Sequence, residues 1–196
     1  MRTCVPGGFT LHHSAMKRTS FIGSLLFLPV AKLFGKANIL PLKECKTQRD
    51  AEGPFYKPGA PLKVIIETEG QPLHIAGTIF KASDCTTPVA NAVIDIWHCD
   101  SSGNYDNQGF KCRGVVKSDS RGKYAFKTIF PPSYGSRPRH IHVKVRAEGH
   151  TELTTQIYFQ GDTNLQNDFA RNAETSRVLS LTSGQGEQHG LFDIYI

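Results

Sequence analysis

The feature that most constrains the fold of this chain is a series of short β-rich runs separated by turn residues, beginning at about Leu40. Short runs rich in Val, Ile, Thr and aromatic residues predict strands where Gly, Pro, Asn, Asp or Ser bound them. Such runs occupy 62–66, 74–80, 92–97, 123–126, 140–145 and 154–159. The tail predicts one helical turn near 173–178 and a last strand at 192–196. This spacing of strands predicts an all-β fold, an antiparallel β-sandwich of the immunoglobulin or transthyretin type with long loops.

The amino-terminal segment has a different composition. Lys17 and Arg18 precede an apolar run at 21–31, and Gly-Lys-Ala at 35–37 provides a small-x-small cleavage site. A transmembrane helix needs about 20 apolar residues, so this run is too short to span a bilayer and no stable membrane span is expected. The pattern is typical of a leader that directs export.

We therefore predict a leader at 1–37 and a single β-sandwich domain at 38–196. Met16 stands directly before the basic pair and is an alternative initiator, which would leave residues 1–15 outside the protein. An exported protein, periplasmic or secreted, is the expectation that follows. A buried helix in place of the leader, in a cytoplasmic protein, is the alternative.

Cysteine usage agrees with an oxidising compartment. The chain has five cysteines, and those that remain once the leader is removed are Cys45, Cys85, Cys99 and Cys112. An exported protein can pair this even number in three ways, among which the sequence does not choose. No CxxC spacing is present, so a thiolate zinc site is not expected.

The net charge of +6 favours anionic partners, aromatic acids among them. Basic residues are frequent in the first 50 positions, and no stripe of Lys and Arg interleaved with aromatic residues follows elsewhere. A nucleic-acid partner is therefore not expected. Oligomeric state stays open.

The chemistry of the chain centres on His140 and His142, at the start of a predicted strand. Side chains at i and i+2 leave a strand on the same face, so both imidazoles can reach one metal ion. Tyr105 and Tyr134 lie in loops that adjoin predicted strands. Phenolate is a hard anionic oxygen donor and imidazole a borderline nitrogen donor, and together they suit Fe(3+) better than zinc or copper(I). The pattern predicts a ferric site.

Residues 50–162 resemble the intradiol ring-cleavage dioxygenases, non-haem ferric enzymes that open catechols between the two hydroxyls. The matching stretches, in family order, are Glu52–Tyr56, Asp95–Tyr105, Arg113–Gly114, Asp119–Gly122, Tyr134–His142 and Thr155–Phe159. The leader and the extra cysteines are similar to those of exported members. The resemblance implies a β-sandwich oxidoreductase in aromatic compound catabolism, which uses dioxygen to convert a catechol into a cis,cis-muconate-type product.

The resemblance also implies the ligand set. Tyr105, Tyr134, His140 and His142 would bind the iron, with hydroxide in the fifth position. Tyr134 and His140 would be axial, and the other two equatorial. A chelating catecholate brings two oxygens, so the hydroxide and one phenolate should leave and accept the substrate protons. Tyr134 is thereby expected to act as a general base.

Two further residues take roles from the same motif. Arg137 is expected to stabilise carbanionic or peroxo charge on the substrate, and Gln156 to hydrogen-bond nearby. A surface salt bridge for Arg137 and an ordinary strand position for Gln156 are the alternatives. Tyr56 is expected at the mouth of the pocket, and His98 is expected to be structural.

Two other functions remain open from the residues alone. The first is a non-catalytic β-sandwich binding module of the transthyretin or carboxypeptidase-regulatory type. The second is a zinc or copper protein that uses only His140 and His142. The identity of the catechol is also open, because the pocket walls that select ring substituents are built from residues of several loops.

Overall fold

A computed structural model describes residues 45–196 of the chain. These residues form two five-stranded sheets, which are connected by loops and short helices. The strands, in chain order, are β1 Pro72–Phe80, β2 Val93–Trp97, β3 Arg113–Lys117, β4 Lys123–Ile129, β5 His140–Arg146, β6 Leu153–Phe159, β7 Val178–Leu179, β8 Thr182–Gly184, β9 Glu187–Leu191 and β10 Ile194–Tyr195. Short 3₁₀ helices span Thr163–Asn167, Phe169–Asn172 and Thr175–Arg177.

These residues belong to a compact unit that spans Leu40–Ile196. The predicted leader at 1–37, its boundary with the domain and Met16 lie outside the described residues. Within residues 45–196, no helix combines the length and the apolar character that crossing a bilayer requires.

One sheet has the order β10-β1-β9-β8, with β4 paired to β1, and the other has the order β3-β2-β5-β6-β7. The long ladders are antiparallel, as the strand spacing predicted. Parallel pairing occurs where β9 and β10 join β1 and where β7 joins β6. The sheets are therefore mixed, because the tail returns to both sheets.

The core lies between the inner faces of the two sheets. In β4, buried Tyr124 and Phe126 alternate with exposed lysines and an exposed alanine, which is the period of a strand with one wet face. In β5 and β6 nearly every residue is buried. Ile141, Val143 and Val145 face the hydrophobic core, whereas His140 and His142 face the opposite side. Loops cover that side, and this is where the candidate site forms.

The predicted strand at 62–66 is wrong. Leu62 and Ile65 form only isolated bridges, and both side chains are exposed. This segment forms two backbone hydrogen bonds with Val115 of β3 and then two with Lys127 of β4, so it crosses from one sheet to the other and extends neither. The prediction missed β3, because the buried Arg113 at its first position makes the run look too polar. The helical turn near 173–178 takes the form of a 3₁₀ helix that gives way to β7.

The expected pairing of all four cysteines occurs only in part, since one disulfide forms and two cysteines are free. Cys45 and Cys85 form a disulfide with their Cα atoms 5.7 Å apart, across a sequence separation of 40 residues. The bridge ties the start of the described chain to the turn after β1. Cys99 and Cys112 are free thiols, both buried, and burial raises the pKa of the Cys99 thiol to about 11. Such thiols stay protonated and pack as small apolar side chains.

Candidate metal centre

The two imidazoles lie side by side at the start of β5. The ring centroids of His140 and His142 are 4.9 Å apart, and each residue is 3% exposed. Strand β5 lies between β2 and β6, so His142 is paired on both sides, whereas His140 is paired with β6. The indole of Trp97, directly across the ladder from His142, stacks on the His142 ring with centroids 4.7 Å apart and planes within 5°. The orientation of both rings is therefore set by the sheet.

The hydrogen bonds of the imidazoles leave nitrogen lone pairs for a metal. His140 Nδ1 lies 2.7 Å from the carbonyl oxygen of Pro138, which only accepts, so Nδ1 carries the proton. Nε2 of His140 then has a free lone pair, 3.2 Å from the hydroxyl of Tyr105. This is the arrangement of a metal-binding histidine whose second nitrogen donates to a carbonyl. Burial lowers the pKa of both His140 and His142, which favours the neutral form that binds metals.

Tyr105 comes from the loop between β2 and β3, where no ladder holds the backbone. The carboxylate of Asp100 accepts hydrogen bonds from the backbone N–H groups of Ser102 and Asn104, at 2.9 Å each. Asp106 does the same for the turn that follows Tyr105. Such Asx turns replace the missing ladder hydrogen bonds. The polar residues that mark this loop in the sequence therefore shape the loop that carries the phenol.

Phe55 covers both phenols. Its ring stacks on Tyr105, with centroids 4.2 Å apart and planes within 10°, and meets Tyr134 edge-on at 5.4 Å. The rings of Tyr105 and Tyr134 are themselves 5.3 Å apart. Burial raises the pKa of Tyr105 above its ordinary value, so the isolated site holds the neutral phenol. Its phenolate requires a cation at the centre.

Arg113 joins the two segments that form this aromatic cover. Its Nη1 donates to the carbonyl oxygen of Phe55 at 2.6 Å, and its Nε donates to the carbonyl oxygen of Asp106 at 3.0 Å. The side chain is buried, and desolvation lowers its pKa. A guanidinium bridging two carbonyls restrains the spacing of the Phe55 segment and the Tyr105 loop.

The predicted residues meet around one small cavity of about 170 Å³. Its lining residues are Gly53, Pro54, Phe55, Tyr105, Tyr134, Arg137, His140 and His142. Gly53 has a positive φ of 73°, and a Cβ at that position would lie 3.5 Å from the His142 ring. The backbone turns tightly over the imidazole at that point. The cavity is thus lined by the two predicted nitrogen donors and the two predicted oxygen donors.

Arg137 reaches this cavity and Gln156 does not. Tyr134 and Arg137 form a tight turn, in which the Arg137 N–H donates to the Tyr134 carbonyl oxygen at 2.9 Å. The Arg137 guanidinium donates from Nη2 to Gln156 Oε1 at 3.1 Å, and its Nε lies 2.7 Å from the carboxylate of Asp168. Gln156 is fully buried, directly across the ladder from His142. Gln156 can therefore act on the site only through Arg137.

The donor set fits an iron(III) ion. Within residues 45–196, no group of three or more His, Cys, Asp or Glu side chains is placed to hold a metal. A centre at this cavity must use the phenols of Tyr105 and Tyr134 together with the imidazoles. His142 Nδ1, which is buried, has no hydrogen-bond partner, so its ring is free of any competing polar contact on that side. Two phenols that become anionic at a trivalent ion are matched in charge and hardness to iron(III).

Two other predictions can be compared with the structure. His98 is fully buried, between the Cys99 carbonyl oxygen at 2.7 Å and the Thr128 hydroxyl at 2.6 Å, which confirms a structural role. Tyr56 was expected at the pocket mouth, but it packs on the outer side of Trp97, with ring centroids 4.9 Å apart. Phe55, its neighbour, lines the cavity instead.

Sequence reasoning missed Phe55 and Arg113 as parts of the site. Both lie in stretches that carry the family resemblance, so a signal was present in the sequence. Nothing in their spacing indicates that a carbonyl at 55 meets a guanidinium at 113, because these residues are 58 positions apart.

Comparison with known proteins identifies the family. Residues 52–190 match the family model described as Dioxygenase. The chain belongs to the intradiol ring-cleavage dioxygenases. A catechol 1,2-dioxygenase of Acinetobacter baylyi is 35% identical over 159 residues, which cover 65% of this chain and 50% of that protein. A chlorocatechol 1,2-dioxygenase of Pseudomonas putida is 36% identical over 173 residues, covering 74% of this chain and 66% of that protein.

Solved structures of the family share the fold. The dioxygenase domain of a dioxygenase carbohydrate-binding protein fusion from Streptomyces sp. SirexAA-E aligns with a TM-score of 0.71 at 33% identity. The alignment covers 77% of this chain and 97% of that domain. The matched region thus spans half to two thirds of the length of the two curated relatives, and nearly all of this isolated domain.

Proposed function

We propose that this chain is a non-haem iron(III) dioxygenase that cleaves a catechol-type ring between its hydroxyls and incorporates both atoms of O2. The observation that carries the proposal is the meeting of two phenols and two imidazoles around one cavity. The product would be a cis,cis-muconate-type diacid. Support for a catechol-type substrate comes from the names of the relatives, which are catechol and chlorocatechol 1,2-dioxygenases.

Tyr105, Tyr134, His140 and His142 would hold the iron. When bound, iron(III) would supply a Lewis acid that draws electron density from a bound catechol ring. The low pKa values of the buried imidazoles and the high pKa of the Tyr105 phenol suit this ion, because its charge favours the phenolate and needs neutral nitrogen donors.

Protein side chains would transfer a proton, stabilise charge and exclude water. Tyr134 Oη would accept a proton from a substrate hydroxyl, since Tyr134 lies in a turn outside the ladders and can move without disturbing β5. The guanidinium of Arg137 lines the cavity and would stabilise negative charge on the substrate. Phe55 and Pro54 would keep water away from the ring.

The size of the cavity supports a substrate with a single ring. Pockets for drug-sized ligands have volumes of roughly 300–1,000 Å³. The cavity here has about 170 Å³, so it admits one aromatic ring with small substituents. Aromatic walls on the Phe55 side favour an apolar ring face over a charged substituent.

The decisive experiment joins metal analysis, colour and product identification. The purified protein should bind one equivalent of iron, show a visible charge-transfer band from phenolate to iron(III), and consume oxygen with catechol. The panel should include protocatechuate, hydroxyquinol and chlorinated catechols, with the mode of ring cleavage recorded for each. A colourless protein with one equivalent of ferric iron would contradict the proposal, as would extradiol products.

We propose in addition that the protein is exported. The leader-like segment at 1–37 and the Cys45–Cys85 disulfide support this, since structural disulfides persist in oxidising compartments. Fractionation of expressing cells and amino-terminal sequencing of the mature protein test the proposal. Full-length protein confined to the cytoplasm, with both cysteines reduced, would contradict it.

A further inference from the structure

A buried polar network contacts the guanidinium of Arg137. Its members come from the first described segment, from β6 and from the last 3₁₀ helix. They are Gln48, Asp50, Gln156, Tyr158 and Arg177, and none of them lines the cavity. Burying charge at this place is costly unless each group is paired, so the network needs an explanation beyond packing.

An ion pair between Asp50 and Arg177 forms the base of the network. Arg177 Nη1 lies 2.5 Å from Asp50 Oδ2, and the two side chains are 3% and 8% exposed. Arg177 also donates from Nη2 and Nε to Gln48 Oε1, at 2.6 and 3.0 Å. With these contacts the guanidinium is held on several sides, and the position of the Asp50 carboxylate is set with it.

Tyr158 connects this ion pair to Arg137. Its hydroxyl oxygen lies 2.9 Å from Asp50 Oδ2 and 3.0 Å from Gln156 Oε1. The hydroxyl has one hydrogen, and a charged acceptor binds it more strongly than an amide oxygen, so Tyr158 donates to Asp50. Its oxygen lone pairs then face Arg137 Nη2, which lies 3.4 Å away. Burial raises the pKa of Tyr158, so the group stays a neutral phenol.

The same segment orients Gln156. Its Nε2 donates to the carbonyl oxygen of Ala51 at 2.7 Å, so its Oε1 must face the other way, toward Arg137 Nη2 at 3.1 Å. Arg137 Nη2 has two hydrogens, and both acceptors, Gln156 Oε1 and Tyr158 Oη, lie on this side. The contacts of residues 48–51 thereby orient the two acceptors, Gln156 Oε1 and Tyr158 Oη, toward the Arg137 guanidinium.

We propose that Tyr158, oriented by the Asp50–Arg177 ion pair, is a positioning residue that holds the Arg137 guanidinium in the geometry the reaction needs. The proposal rests on the proposed function, in which Arg137 stabilises charge on the substrate. Tyr158 does not touch the substrate and binds no metal. Its ring also lies beside His140, with centroids 6.4 Å apart, whereas its hydroxyl contacts Asp50, Gln156 and Arg137. The hydroxyl therefore acts on the site through Arg137 and Gln156.

The test is Tyr158→Phe, which keeps the ring and removes only the hydroxyl. Tyr124→Phe is the matched control, because Tyr124 is also a buried strand tyrosine, whose hydroxyl donates to the Phe192 carbonyl oxygen at 2.6 Å, far from Arg137 in the other sheet. Tyr124→Phe loses one buried hydrogen bond, and Tyr158→Phe loses the bond to Asp50 and the bond from Arg137, so both variants should lose thermal stability. We expect kcat for catechol to fall about tenfold in Tyr158→Phe only, with KM within about twofold of wild type.

Two readouts separate positioning from damage to the metal site. The visible charge-transfer band of the iron-loaded Tyr158→Phe protein should match wild type, because no ligand has changed. In the metal-free protein, the side-chain 15N resonances of Arg137, assigned with Arg137→Lys, should shift in Tyr158→Phe and not in Tyr124→Phe. The second readout needs no activity.

Unchanged kcat in Tyr158→Phe, or an equal loss in Tyr124→Phe, would overturn the inference. Unshifted Arg137 resonances would overturn it as well. Failure of the proposed function looks different: the wild-type protein itself would then give no intradiol product. In that case the NMR comparison still decides whether Tyr158 orients Arg137.

Discussion

The two halves of the candidate site are held in different ways. His140 and His142 stand on β5, a central strand with ladders on both sides, and each is almost fully buried. Tyr105 and Tyr134 stand in loops, where Asx turns, one stacked phenylalanine and one bridging arginine replace the ladder. The geometry of the nitrogen donors is a property of the sheet. The geometry of the oxygen donors depends on a few side-chain contacts.

This difference in support fits the roles proposed for the two sets of donors. A nitrogen pair that retains a metal through every turnover is best placed on a rigid element. A phenol that has to release its ligand position and accept a proton needs a segment that moves at little cost, and a loop provides it. Substitutions outside the donor set should therefore disturb the oxygen half and spare the nitrogen half.

The largest effect should follow removal of the nitrogen half. His140→Ala and His142→Ala should each lower turnover at least about 10³-fold and reduce bound iron well below one equivalent, since each variant loses one of the two imidazoles that line the cavity. Iron analysis and oxygen uptake with catechol measure the effect. His189→Ala, an exposed histidine in the other sheet, is the control. Full iron content in either variant would contradict this role.

Removal of the oxygen half should have a smaller effect on iron and a large one on colour. Tyr105→Phe and Tyr134→Phe should each shift and weaken the visible band and lower kcat about 10²-fold or more, while part of the iron stays bound. The double variant should be pale. Absorption spectra and single-turnover kinetics measure this, and Tyr195→Phe is the control. An unchanged band in either single variant would rule out that tyrosine as a ligand.

Loosening the oxygen half without touching a donor should have an intermediate effect. Arg113→Gln removes the charged bridge between the Phe55 and Asp106 carbonyl oxygens. We expect the free energy of unfolding to fall by about 2–3 kcal/mol and kcat/KM to fall about tenfold, with bound iron retained. Urea unfolding and steady-state kinetics measure the two effects. Arg121→Gln, at an exposed arginine, is the control, and loss of iron in Arg113→Gln would mean that the halves are not independent.

The smallest effect on activity should come from His98, at the junction of β2 and the Tyr105 loop. Burial lowers its pKa from 6.5 to about 4, so below pH 6.5 the unfolded chain takes up a proton that the folded protein does not. Stability should therefore fall as the pH falls from 6.5 to about 4, by on the order of 3 kcal/mol. Above pH 6.5 His98 should have no such effect.

Urea unfolding of wild type and His98→Gln at pH 7, 5.5 and 4 measures this difference. The variant should show a shallower loss of stability on acidification, and its kcat at pH 7 should stay within about threefold of wild type. His189→Gln should leave the slope of wild type unchanged, because that side chain is exposed. Identical slopes in His98→Gln and wild type would show that His98 is accessible to protons in the folded state.

Local patterns predicted the strands that carry the site. The runs at 74–80, 92–97, 123–126, 140–145 and 154–159 correspond to β1, β2, β4, β5 and β6, because alternation and β-branched residues are local signals. The same-face placement of His140 and His142 also follows from local geometry. The prediction of a strand at 62–66 failed, since hydrophobicity alone does not say that the run crosses from β3 to β4 after one bridge to each.

The candidate site was predictable in its donors and not in its supports. Phe55 and Arg113 meet through a contact across 58 positions, and Asp50 and Arg177 pair across 127. No local period encodes such contacts. The cysteine pairing was not predictable for the same reason. The Cys45–Cys85 disulfide requires the turn after β1 to lie close to the start of the described chain, and this is a property of the tertiary structure.

By itself the sequence determined which atoms are available: two imidazoles at a spacing of two in a strand, two phenols in turn-rich loops, and an arginine beside them. Only the tertiary structure decided that these atoms line one cavity, that Phe55 covers it, and that Tyr158 faces Arg137. The reason is physical. The periodicity of a strand is determined by residues that are neighbours in sequence, whereas the shape of a cavity depends on how two sheets and several loops pack together.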